Sequence, residues 1–156
     1  MKQFIVISFL LLFTVSLQGQ SKVDIEKEKT SIQNLFDNYS DAFKDLDIDK
    51  FSKMFLTSND LIIFDNEKRF IGWDSWKESL LNFFNSASNV VVTFKNHLIY
   101  VHPTGEVARL SVLEDADWME DGESSSIKDM RVTWVLEKIN GNWKVVQLHA
   151  SLSSKY

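Results

Sequence analysis

The chain has 156 residues, is 44% hydrophobic and holds one proline and five glycines, which suits a single compact domain with a core of its own. It is acidic, with 22 Asp and Glu against 17 Lys and Arg, and it has no run of basic residues, so nucleic acid is a poor partner: phosphate contacts need concentrated positive charge. Cysteine is absent, which excludes disulfides, thiolate metal sites and a cysteine nucleophile.

Residues 1–20 read as a cleaved signal peptide. Lys2 is followed by a charge-free run from Phe4 to Leu17 and by small residues up to Gly19. That run is short for a membrane span, which needs ~20 residues, so the expectation is export to a periplasm or the outside, no membrane after cleavage, and one domain over 21–156.

From 24 to 46, Ile25, Ile32, Leu35, Phe36, Tyr39, Phe43 and Leu46 recur at helical spacing and predict one amphipathic helix, with Tyr39 turned to the core. Asp24, Glu26 and Glu28 complement its dipole at the N-terminus. Asp47 is placed to cap a short second helix through Phe55. Leu61 to Asp65 then reads as a strand, Asn66-Glu67-Lys68 as a turn and Arg69 to Ile71 as the return, with Asp65 on the face of Leu61 and Ile63. A third helix is expected from Asp74 or Ser75, with Ser75 and Glu78 as a capping box and Trp73, Trp76, Leu80, Phe83 and Phe84 inward.

Beyond Val90 the period changes. Val90–Val101, Gly105–Trp118, Ile127–Ile139 and Asn142–Ser153 read as four long strands, broken by His102-Pro103-Thr104, by Asp121-Gly122 and by Asn140-Gly141, whose second turn residue suits a tight hairpin. Helices followed by consecutive strands predict an α+β fold, three N-terminal helices packed on a curved antiparallel sheet.

That order, with the tail NGNWKVVQLHAS, resembles the nuclear transport factor 2-like superfamily and, within it, the SnoaL-like group that includes polyketide cyclases and ketosteroid isomerases. The resemblance covers roughly Asp24 to Ser153 and implies a cone-shaped α+β barrel with an apolar pocket, binding a small apolar or partly polar molecule and forming homodimers through the outer sheet face. Tyr39-Ser40-Asp41-Ala42-Phe43, Asp47-Ile48-Asp49, Phe51 and Phe55 look like the first two helices of ketosteroid isomerase. On that likeness Tyr39 matches the oxyanion-hole tyrosine and Asp65 the aspartate that moves the proton, while a second, protonated aspartate of the enzyme falls near Val135.

Candidate ligand contacts depend on strand register. A two-residue loop at Asp121-Gly122 sets Glu114 opposite Asp129, Val112 opposite Arg131 and Leu110 opposite Thr133. With Ala108, Leu110 and Val112 inward, Glu114, Asp129, Arg131 and Thr133 would then share the concave face; a one-residue slip reverses this. Arg131 reads either as a sheet ion pair or as a clamp for a ligand anion. Asp65 reads as a general base or as a strand-end aspartate bonding its turn. His149, in the LHAS tail, pairs with Val132 across a two-residue loop, or with Thr133 and enters the pocket across a three-residue one; it is the further candidate for acid–base work. Trp73, Trp76 and Trp118 are candidates to line an aromatic cavity. Three scattered histidines show no metal-ligand spacing, and no phosphate loop, catalytic triad order or cofactor motif is present. Two further uses stay open. One is an isomerase, cyclase or dehydratase working through Asp65; the other is an association module presenting Met130, Val132 and Trp134 on the outer sheet.

Overall fold

The computed structural model describes residues 23–152, so the leader-like segment 1–20 and Ser153 lie outside the described residues. Three helices, α1 (Ile25–Asp45), α2 (Ile48–Met54) and α3 (Trp73–Ser86), cover one face of a six-stranded sheet. Its strands are β1 (Ile62–Asp65), β2 (Lys68–Ile71), β3 (Ala87–Val101), β4 (Val107–Glu120), β5 (Glu123–Ile139) and β6 (Asn142–Ser151). In space they run β2-β1-β6-β5-β4-β3, antiparallel except for the parallel β1–β6 pair.

Local chemistry explains the helix ends. The Asp24 carboxylate accepts from the Lys27 N–H and starts α1, and the Asp47 carboxylate accepts from the Asp49 and Lys50 N–H groups and starts α2. α3 departs from expectation. Its N-cap is Gly72, without a side-chain cap, and Ser75 lies inside the helix, so the Ser75–Glu78 box is not used. Gly72 has φ +82°, and a Cβ there would sit 3.3 Å from the Asn59 Cα; chain geometry, not capping chemistry, sets this start.

The long strands carry bulges, and three residues at them adopt left-handed backbone: Asn89 and Asn96 in β3 and Asp129 in β5. Asn and Asp tolerate that region better than most side chains do, and each extra residue bends its strand and raises the local twist. The result is a sheet curved around the helices.

The bulge at Asp129 decides the facing of β5. The Asp121-Gly122 loop has two residues, as expected, and Glu120 pairs with Glu123. Lys128 and Asp129 together then oppose Asp115, so Glu114 pairs with Met130, Val112 with Val132 and Leu110 with Trp134. This corrects the expected register by one residue. Met130, Val132 and Trp134 are buried, and Asp129, Arg131 and Thr133 lie on the outer face. The association surface of Met130, Val132 and Trp134 is therefore interior.

A further bulge sits in β6. The Asn140-Gly141 turn is tight, with Ile139 paired to Asn142, but the register shifts beyond Leu136–Val145, and His149 pairs with Thr133. The pairing expected of a longer loop is thus reached with a short one, and His149 and Thr133 both face outward.

Trp134, fully buried, lies at the centre of the core. Its ring centroid is 5.1 Å from Tyr39 and 5.3 Å from Phe36, and Tyr39 in turn meets Phe43 at 4.9 Å and Phe51 at 5.4 Å. Edge and tilted contacts of this kind add to what area burial supplies.

Candidate functional site

Between α1, α3 and the concave sheet lies a cavity of about 520 Å³. Tyr39 and Phe43 reach it from α1, Trp76, Leu80 and Phe83 from α3, Val90 and Val92 from β3, and Ala116 and Trp118 from β4. Ile127, Met130 and Val132 complete it from β5, and Leu148 and Ala150 from β6. The exposed residues Asn66, Lys68, Asn82 and Glu120 line it too and mark its mouth. An apolar hollow with a few polar groups is the usual build of a small-molecule site.

Besides Lys68 and Glu120 at the mouth, the ionisable groups that line this hollow are Tyr39, Asp65 and Glu114. Alternation along β4 from Ala108, Leu110 and Val112 carries Glu114 inward, where it is the buried charged residue among the described ones. Its Oε2 is enclosed and has no hydrogen-bond partner. Burial, then the nearby Asp65 charge, pushes its carboxyl up to about 8, so at neutral pH it keeps its proton and can donate a hydrogen bond.

Asp65 ends β1, and its Oδ1 accepts from Asn66 Nδ2 at 3.0 Å. Burial raises its carboxyl above the ordinary aspartate value, while Lys68 and the Asn66 bond pull the other way. The turn-bonding and cavity-facing uses that the sequence left open are therefore both occupied by this residue. Tyr39 is buried, and desolvation followed by the Glu114 and Asp65 charges holds its phenol well above the usual value. It stays a donor throughout the physiological range. Two donors and one titrating carboxylate around an apolar space can hold a carbonyl oxygen and move a neighbouring proton.

The other expected contacts divide. Trp76 and Trp118 line the cavity; Trp73 does not, being buried with its ring 6.4 Å from Phe55. Arg131, expected inward, donates through Nη2 to the Leu152 carbonyl at 3.3 Å on the outer face. Asp129 pairs with Lys95 at 2.7 Å, and its N–H donates to Asp115 Oδ1 at 2.8 Å. His149 lies exposed beside Phe64, ring centroids 6.1 Å apart, and Thr133 is exposed opposite it. One cause displaces Asp129, Arg131 and Thr133: the extra residue in β5. Val135, the position matched to the isomerase's protonated aspartate, lies between the inward Trp134 and Leu136, and the buried carboxyl comes from Glu114 on the neighbouring strand instead. Nothing in the sequence marks the mouth residues Asn66, Lys68 and Asn82, because turn and helix-surface polar residues carry no pattern that distinguishes a rim from any solvated surface. Among the described residues no group of His, Asp and Glu converges to hold a metal ion.

Residues 32–154 match the family described as SnoaL-like domain. The chain belongs to that family. Solved structures similar to this SnoaL-like domain include a nuclear transport factor 2-like superfamily protein from Salmonella enterica serovar Typhimurium, with TM-score 0.73 and 19% identity over 83% of this chain and 94% of the other. A proposed dehydratase of the same superfamily from Streptomyces avermitilis gives TM-score 0.74 and 14% identity, covering 83% and 99%. A proposed aromatic ring hydroxylase from Novosphingobium aromaticivorans gives 0.74 and 17%, covering 83% and 92%. At identities this low the structural likeness shows a shared fold alone. No curated protein matched the SnoaL-like domain.

Proposed function

We propose that this SnoaL-like domain binds a small, mostly apolar molecule carrying a carbonyl or similar acceptor, seated against Tyr39 and Glu114. The observation that carries the reading is Glu114. A buried carboxyl with an unpartnered oxygen costs on the order of 1–3 kcal/mol, a cost that a bound polar group can offset if the side chain turns toward it. The cavity around it is otherwise apolar and of small-molecule size. The test is a fluorescence titration with a hydrophobic cyclic ketone and with the hydrocarbon of the same skeleton. The ketone is expected to bind about tenfold tighter, the worth of one good hydrogen bond. Equal affinities, or none for either, would remove the reading.

A second reading is catalytic and rests on Asp65. Its carboxyl is pushed toward working pH at the wall that Glu114 shares, so it suits a general base shifting a proton beside the held carbonyl, as in an isomerase, cyclase or dehydratase. Turnover of a β,γ-unsaturated ketone that disappears in Asp65→Asn while binding persists supports it; no turnover by the parent chain sinks it.

Export and homodimerisation belong to the same proposal. The first is supported by the pattern of residues 1–20, the second by Phe64, Val91, Leu98 and Tyr100, large side chains left exposed on the sheet. N-terminal sequencing of secreted protein and sedimentation of the mature chain test them.

A further inference from the structure

A second cleft, of about 910 Å³, opens between α1, α2 and the β5–β6 turn and shares no lining residue with the cavity. Lys27, Lys50, Lys53, Lys138 and Lys144 line it, against only Glu28 and Asp41 as carboxylates, which inverts the acidic balance of the whole chain. No stretch of sequence shows this concentration, because the lysines come from four separate elements, α1, α2, β5 and β6.

Much of the negative charge is already engaged. Glu28 accepts from Trp143 Nε1 at 2.8 Å and pairs with Lys138 at 2.6 Å, and Lys50 pairs with Asp45. Lys27, Lys53 and Lys144 have no carboxylate partner among the described residues. The Lys144 ammonium donates to the Lys53 carbonyl, which holds an unneutralised positive charge at the cleft wall. It is half-buried there, and desolvation lowers its pKa, so an anion arriving beside it would relieve an existing cost.

We propose that this cleft is a binding site for a compact, multiply charged anion, of the class of phosphate monoesters. The cleft holds lysines and no arginine. A guanidinium fork binds carboxylate and phosphate alike through paired bonds, whereas ammonium groups act as point charges with no planar preference, and several of them around one space suit a compact dianion. Leu35 and Met54 in the same wall provide an apolar surface for the organic part of an ester.

Isothermal titration of the purified chain at low ionic strength, with glycerol 2-phosphate and with inorganic phosphate as probes, tests this. Saturable binding is expected, weakened about tenfold or more in Lys53→Gln/Lys144→Gln and reduced by added salt. Tighter binding of the ester than of inorganic phosphate assigns an organic ligand; equal binding assigns free phosphate, and both fit the anion site. Lys128→Gln, which removes a lysine paired with Asp117 outside the cleft, is expected to bind like the parent. Circular dichroism checks that each variant folds. No saturable heat with either probe, a double variant that folds and binds as the parent does, or an equal loss in Lys128→Gln would overturn the proposal.

Discussion

The negative charge of Asp65 adds to burial in raising the Glu114 carboxyl, which places two carboxyl groups from β1 and β4 at one cavity with different proton affinities. Glu114, raised to about 8, is the proton-bearing partner at neutral pH; Asp65, raised less because Lys68 and Asn66 oppose its burial, is the one able to accept. A pair of titratable groups pushed apart by their surroundings is how one site obtains both an acid and a base.

Stability should therefore fall as pH rises. The folded-state value of Glu114, about 8, lies above its ordinary value of 4.5, so between the two the folded chain binds more protons than the unfolded one. The full contribution is present below the lower value and is lost on passing the upper, on the order of 4–5 kcal/mol at roughly 1.4 kcal/mol per unit. Glu114→Gln cannot ionise. Denaturant titrations from pH 5 to 9 are expected to show the parent losing stability and Glu114→Gln staying nearly level; parallel curves would count against a raised Glu114.

Ligand binding should follow the same proton. If Glu114 donates to the ketone, affinity for the cyclic ketone probe is expected to decline as pH rises through about 8, and Tyr39→Phe to weaken binding by about fivefold to tenfold at every pH below that. In Asp65→Asn the midpoint of the decline should move down, since a charge that raises Glu114 has gone. A midpoint that does not move would separate the two carboxyl groups.

Trp134→Ala is expected to cost about 3–5 kcal/mol, the range for deleting a fully buried large side chain, because four aromatic rings rest on this indole besides the strands around it. Thermal melts check it. Wild-type stability with an altered oligomer would instead restore the surface role that the register assigned to other residues.

The bulge in β5 offers a sharper test of register. Asp129→Gly keeps the left-handed backbone, φ 55°, and loses only the exposed pair with Lys95, so a change within about 1 kcal/mol is expected. Deleting Asp129 leaves Lys128 alone opposite Asp115 and Met130 still opposite Glu114, so Met130, Val132 and Trp134 stay inward and the variant is expected to fold, losing the bulge's bend and the Lys95 pair. A deletion variant that no longer folds, by circular dichroism, would count against Asp129 as one residue added to otherwise regular pairing.

Much of the fold is legible in the amino-acid order. The Ile32–Leu35–Phe36–Tyr39 stripe, the capping aspartates 24 and 47, the two-residue turns at Asp121-Gly122 and Asn140-Gly141, and the inward placement of Asp65, Tyr39 and Glu114 all follow from periodicities and turn preferences that act within a few residues. The facing of Arg131, Thr133, Asp129 and His149 does not. It turns on one extra residue near Asp129 and one register shift in β6, which local sequence marks only weakly because their stability comes from the pairing and burial of whole strands. The lysine cleft has the same character: its charges are scattered in sequence from Lys27 to Lys144 until α1, α2 and the β5–β6 hairpin pack together, so only the tertiary structure could assemble it. Residue order determined which elements form and which local faces are apolar; long-range pairing decided which side of the sheet each polar group serves, since side-chain direction in a strand reverses with every residue.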